Sequence, residues 1–261
     1  MSLDRREIVS LDVAVPMATV WEHLRDTELA RRWFAWDGPG YDEELHRFLV
    51  ELPTEHRDVV GDATTHALSW PNHDELVLRA AAHEPGHTHL TVTRRSHEGL
   101  LDVYDGVRDV HDEDWLTSVH QLKFALEVHP GVDRRTLAVQ GLDAGDRRNR
   151  LLDRAGLHGV RGIPVGGNVE VHRPDGSTLG GTLVYRTVFQ FGLHLHGLTE
   201  SLLVVRETPA AASPPHGQVA AVISTFGLTD EQWDEVERRW EGWWPHRGAV
   251  LGAGVPAGVV G

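Results

Sequence analysis

VAVPMATVWEHLRDTELARRWF, residues 13–34, changes its periodicity at a single proline. Upstream, EIVSLDVAVP (7–16) alternates apolar and polar residues, the pattern of a half-buried strand that stops at Pro16 because proline has no N–H for the ladder. Downstream, Val20, Trp21 and Leu24 recur at helical spacing, so MATVWEHLRD reads as a helix with Pro16 just outside its start. Thr27 or Asp26 can cap a second short helix whose apolar side is Leu29, Trp33 and Phe34, ended by DGPG (37–40). The opening order is strand, helix, helix.

DEELHRFLVELP (42–53) fits a helical face through Leu45, Phe48, Leu49 and Leu52 but could also extend as a strand; the helical reading is adopted. TTHALSW (64–70), ELVLRAAA (75–82) and THLTVTRR (88–95) are β-like runs separated by the turn chemistries PNHD and HEPG, which predicts an antiparallel meander. DEDWLTSVHQLKFALEVHPG then begins with an acidic cap at Asp112 and carries Trp115, Val119, Leu122 and Leu126 at helical spacing as far as Pro130. A long amphipathic helix closes the meander.

The second half repeats this order. RTLAVQGLD (135–143) is strand-like, DRRNRLLDRAGL (146–157) helical, NVEVHRPDGSTLGGTLVYRTVFQF (168–191) a hairpin region, and SLLVVRE and QVAAVISTF further strands. TDEQWDEVERRWEGWW (229–244) is the closing helix, where Thr229 and Gln232 can form a reciprocal capping box. Ser201 lies 126 positions after Glu75, Val219 lies 129 after Leu90, and Trp233 lies 118 after Trp115. The near-constant offset predicts two units, 1–130 and 131–247, with an extra loop SHEGLLDVYDGVRDVH (96–111) in the first and a flexible tail over 248–261.

With Val15-Pro16, Val20-Trp21 and Leu29…Arg32-Trp33-Phe34 in view, the chain resembles the START-like (SRPBCC) superfamily, in particular the branch related to the C-terminal domain of the activator of heat-shock-protein ATPase. The resemblance covers 5–130 and is weaker over 135–247, where DRRNRLLDRAGL replaces the Val-Trp step. It implies an α+β helix-grip fold: a curved antiparallel sheet wrapped on a long C-terminal helix, with an apolar cavity between them and the second unit abbreviated. In that arrangement Trp33, Phe34, Trp115, Val119 and Leu122 meet at the cavity mouth of the first unit and would hold a small apolar or aromatic molecule. The superfamily spans binders, cyclases and oxygenase subunits, so the resemblance carries no catalytic residue with it.

Composition narrows the function further. A formal charge of −14 opposes the phosphate attraction on which nucleic-acid and anionic-membrane binders rely. MSLDRREIVS has charges where a signal peptide needs an apolar stretch, and no run approaches a membrane span, so a cytoplasmic chain with no membrane partner is expected. The absence of cysteine excludes disulfides, thiolate nucleophiles and Cys-ligated zinc. No GxSxG, GxxxxGK[ST] or GxGxxG occurs, so neither a cofactor nor a hydrolase signature is indicated. Asp42-Glu43-Glu44 and Asp112-Glu113-Asp114 stand where helices begin, which suits capping and dipole roles.

Two features stay open. Trp233, Val236, Trp240 and Trp243 share one face of the closing helix, which suits core packing first and a ligand-lining face second, while Trp244 falls beside the stripe, at a rim or against the first unit. His87/His89 and His194/His196 are His-x-His pairs that could each offer a metal two imidazoles from one strand face, but a third ligand would have to come from elsewhere, and no metal is assigned. The function classes that remain are a small-molecule binding protein, an enzyme of cyclase, dehydratase or hydrolase type in the same cavity, and a protein-interaction module like the chaperone-regulating relatives.

Overall fold

A computed structural model describes residues 5–36, 41–95, 108–197 and 199–244. The parts of the expected extra loop over 96–107, the DGPG turn and the 248–261 tail lie outside them. The fold is mixed α+β, and the chain separates into two compact units at Val132/Asp133.

In the first unit, β1 (Arg5–Val13) turns Val9 and Val13 into the core, and α1 (Met17–Arg25) starts directly after Pro16 with Val20 and Leu24 buried. The Asp26 carboxylate accepts from the Glu28 and Leu29 N–H groups and so caps α2 (Thr27–Ala30). α3 (Tyr41–His46) runs on into a π-helical turn, Arg47–Glu51, so the 42–53 stretch is helical, with Leu45, Phe48 and Leu49 buried. Then come β2 (Thr54–Val60), β3 (Ala63–Ser69), β4 (Glu75–Ala81) and β5 (Thr88–Arg95), an antiparallel sheet in the order β1-β5-β4-β3-β2. β2 was not expected, because TEHRDVV is exposed along its whole length and an edge strand with no buried face leaves no alternation to read.

α4 (Val110–Val128) begins two residues earlier than the acidic cap expected at Asp112. Asp109 is the N-cap: its carboxylate accepts the Asp112 N–H at 2.8 Å, while the Asp112 carboxylate accepts the Asp109 N–H at 3.2 Å. Arg94, at the end of β5, donates to Asp74 (2.8 Å), Asp109 (2.7 Å) and Asp112 (2.6 Å), all four side chains being buried. One guanidinium thereby ties the β3–β4 turn and the start of α4 to the last strand.

The second unit contains β6 (Arg134–Asp143), α5 (Leu151–Arg154), a 3₁₀ turn (Val160–Gly162), β7 (Asn168–His172), β8 (Thr178–Arg186), β9 (Gln190–His196), β10 (Glu200–Thr208), β11 (Gln218–Phe226) and α6 (Asp230–Trp243). Its order, β6-β11-β10-β9-β8-β7, follows the same rule: the first strand lies beside the last and the rest form a meander. Glu75 and Ser201, and Leu90 and Val219, stand on strands holding equivalent places in the two orders.

The shortening expected of this unit falls on its helices and not on its sheet, which has six strands against five. DRRNRLLDRAGL is helical only over Leu151–Arg154. Asp146 spends its carboxylate on a turn, accepting from the Arg148 and Asn149 N–H groups, and Gly156 ends the helix at φ 75° where a Cβ would stand 1.8 Å from the His172 carbonyl. α6 carries the Thr229/Gln232 capping box. Trp240, Trp243 and Trp244 are buried in one cluster with Leu193, Leu203 and Ile223, so Trp244 belongs to this unit's own core. Trp233 is half-buried beneath the Arg135 guanidinium, 5.6 Å from its ring.

Two substitutions test this packing by chemical denaturation. Trp240→Ala is expected to cost about 3–5 kcal/mol, and a loss below about 1 kcal/mol would show that the indole is not packed. Arg94→Met removes the cation that three buried carboxylates share and is expected to cost about 3–5 kcal/mol.

Candidate functional site

The five residues expected to line a cavity in the first unit are all buried. Trp33 is fully buried and its indole N–H donates to the His23 carbonyl at 2.9 Å. Phe34, Phe48, Trp70 and Trp115 form a continuous aromatic chain with centroids 5.1–5.7 Å apart. The Trp115 N–H donates to Asp74 at 2.8 Å and the Trp70 N–H to the Phe48 carbonyl at 2.8 Å. Phe34 and Trp115 do border a hollow, but of about 20 Å³, which has room for water and not for a flat organic molecule. Trp33, Val119 and Leu122 do not line it.

A cavity with a volume of about 680 Å³ lies in the second unit. Alternation along the strands makes it: Leu193, Leu195, Leu203, Val205 and Ile223 point to the inner, apolar face of the sheet, and Phe191 and Val219 continue that face to the far end as the cavity floor. After β6, Gly145 turns the chain at φ 78° in a position where a Cβ would strike the Asn149 carbonyl at 2.3 Å. The irregular segment 144–163 then crosses over the floor. The remaining walls are the β8–β9 turn at Val188-Phe189 and the β10–β11 loop from Pro209 to His216.

The polar groups gather at the rim. The Arg161 Nε and Nη2 donate to one Glu207 oxygen at 2.9 and 2.7 Å, Nη1 donates to the Thr187 carbonyl at 3.0 Å, and the guanidinium carbon stands 5.5 Å from the Phe191 ring centroid. The His216 Nδ1 lies 3.0 Å from Asp143. The Gly145 N–H and then the His216 side chain hold the Asp143 carboxyl below its ordinary value. Arg147 and Arg150 border the cavity with no ion-pair partner among the described residues.

A second hollow, of about 90 Å³, lies between α6 and the same inner face, lined by Trp240, Trp243, Ile223 and Arg173. The Arg173 guanidinium carbon sits 4.9 Å from the Trp243 ring, and its pKa is lowered chiefly by burial. The Trp243 indole N–H donates to the Ala155 carbonyl at 2.9 Å, joining the wall of this hollow to the segment that roofs the larger one.

Sequence reasoning found none of Asp143, Arg150, Arg161, Glu207 and His216. Arg161 and Glu207 are 46 positions apart and Asp143 and His216 are 73 apart, pairings that only the strand order creates. The arginines of DRRNR were the available signal for Arg150.

No protein-family model and no curated protein matches the chain. Among solved structures it is similar to DynU16, a protein in the dynemicin biosynthetic locus, at 17% identity over 92% of this chain and 95% of that one, with a TM-score of 0.27. It is also similar to the di-domain ARO/CYC StfQ from the steffimycin biosynthetic pathway, at 16% identity over 89% and 92% with a TM-score of 0.29. A third is the di-domain ARO/CYC BexL from the BE-7585A biosynthetic pathway, at 12% over 92% and 90% with a TM-score of 0.28. TM-scores of 0.27 to 0.29 are too low for any of them to bear on the site. Among the described residues no helix is long and apolar enough to cross a membrane.

Because its folded pKa is depressed, Asp143 contributes a small stabilisation above its unfolded value that is lost as pH falls through the folded value. Carboxyl-detected NMR is expected to place its titration below 3.8 in the wild type, and His216→Ala to raise it only part of the way, since the Gly145 N–H remains. A titration unmoved by that substitution would show that the two side chains do not meet.

Proposed function

We propose that the chain is a START-like binding protein of two units joined near 130–135, whose second unit takes up a small, flat, largely apolar molecule bearing an acidic or phenolic oxygen. The observation that carries this is the cavity of about 680 Å³, with Phe191 and Val219 on its floor and, at its rim, Arg147 and Arg150 with no ion-pair partner among the described residues. That volume is within the range of roughly 300–1,000 Å³ usual for small-molecule sites, and an apolar floor with a few directed polar groups is their usual make-up. In a protein of formal charge −14, guanidiniums at a cavity mouth with no ion-pair partner among the described residues favour an oxyanion over a cation. The START-like reading is supported by the shared sheet order and by a helix that follows the last strand in both units.

A catalytic version of this reading is favoured by one feature. Asp143 fixes the His216 ring through Nδ1, an arrangement that readies the other ring nitrogen to accept or return a proton from a bound hydroxyl or an acidic carbon. A binder and an enzyme are told apart by His216→Asn. In an enzyme it abolishes turnover of a bound compound while leaving its affinity within about threefold, whereas in a binder no compound is turned over by either form.

The binding itself is tested by titrating the full chain with flat polycyclic acids, phenols and fatty acids, following heat or ligand fluorescence. One-to-one binding is expected. Ala210→Trp, an exposed change at the wall, should weaken it at least tenfold, about 1.4 kcal/mol, by occupying the mouth. Arg150→Gln should weaken an acid by roughly tenfold while sparing its neutral ester. If no compound binds, or if Ala210→Trp binds as the wild type does, the cavity is not the site.

A further inference from the structure

We propose that the β9–β10 hairpin of the second unit carries a divalent transition-metal site made by His194, His196 and Glu200. Of the two His-x-His pairs in the sequence, this is the one for which the fold supplies a third ligand. Leu193 and Leu195 are buried on the inner face, so His194 and His196 both stand on the outer face of β9. Glu200 is the direct antiparallel partner of His196 across the hairpin and therefore shares that face.

The geometry is close to that of a bound ion. The donor atoms of the three side chains lie within 4.8 Å of one another, and the His194 Nε2 is 3.2 Å from the Glu200 Oε1. A tetrahedral ion with bonds of about 2.0–2.1 Å sets its donor atoms roughly 3.4 Å apart. The His194–Glu200 edge already has nearly that length, and a small rotation of the exposed His196 ring completes the triangle without moving the backbone. From β8, the Thr182 hydroxyl is 3.2 Å from the His196 Nε2 and steadies the ring. Two imidazoles and one carboxylate suit zinc, cobalt, nickel or copper(II) better than magnesium or calcium, and three protein ligands leave a position for water.

The other pair shows what is missing elsewhere. Both His89 nitrogens are engaged, Nδ1 at 2.8 Å from Asp12 and Nε2 at 2.9 Å from Ser10, and His87 precedes the first residue of β5, Thr88, so it shares no strand face with His89. Among the described residues, the group at His194 is the one that gathers three such ligands. The site is on the sheet face opposite the cavity floor, so it neither rests on the ligand-binding reading nor supplies a metal to that cavity.

The test uses the full chain without a polyhistidine tag, stripped with EDTA and titrated with zinc near neutral pH by calorimetry, and with cobalt(II) by its visible absorption. One zinc per chain is expected, with a dissociation constant in the micromolar range or tighter. His196→Ala and Glu200→Gln should each weaken it at least tenfold, and His89→Ala should not change it. Both altered side chains are exposed, so circular dichroism should match the wild type, and the glutamate variant reads the site even if the histidine variant does not fold. The absence of saturable binding, or equal affinity in the wild type and both variants, would overturn the proposal.

Discussion

A sheet with one apolar face cannot leave that face in water, and here what covers each sheet decides where a ligand can go. Both sheets place the first strand beside the last and meander between them, and both have a helix after the last strand. In the first unit the chain between the first and second strands is rich in helix: α1 packs on β4, and α3 with its π turn delivers Phe48 and Leu49 to the core. In the second unit the equivalent stretch holds a helix of four residues and a turn of three. The six-stranded sheet is thus the one with the thinner cover, and the cavity of about 680 Å³ is the space that cover does not fill.

Polar pairing sharpens the contrast. In the first unit the buried cation Arg94 meets three buried carboxylates, and the buried indoles Trp33, Trp70 and Trp115 all place their N–H on an acceptor. Taking such groups out of water is costly unless each is paired, so this set rigidifies the unit. Around the second cavity the charges remain at the rim, one third exposed for Arg161 and Glu207, and Arg147 and Arg150 have no ion-pair partner among the described residues. A site that must exchange water for a ligand keeps its directed donors where that exchange is cheap.

What could be read from the sequence was what is local. The strand that stops at Pro16, the Asp26 cap, the meander over 64–95 and the Thr229/Gln232 capping box each rest on residues within a few positions of one another. β2 could not be read because all of its residues are exposed, and α5 was overestimated because Asp146 and Gly156 divert the chain at both ends of a stretch that scans as helical. Whether the aromatic residues of the first unit enclose space or fill it depends on tilts and offsets that spacing does not encode. The rim of the second cavity joins residues dozens of positions apart and comes into being only with the sheet.

The two covers of the second cavity's sheet also differ in what it takes to move them. α6 is anchored by three buried indoles, and local opening becomes costlier as buried apolar contact and backbone hydrogen bonding increase. The roof, 144–163, has little regular structure and turns at Gly145, Gly156 and Gly159, each in the left-handed region. It is held by the Trp243 N–H at the Ala155 carbonyl, by the Ala144 N–H at the Gly217 carbonyl, and by Arg161 at Glu207 and the Thr187 carbonyl. The stretch 146–150, which bears Arg147 and Arg150, is exposed throughout, whereas Leu151, Ala155 and Leu157 are buried in one core with the tryptophans of the closing helix.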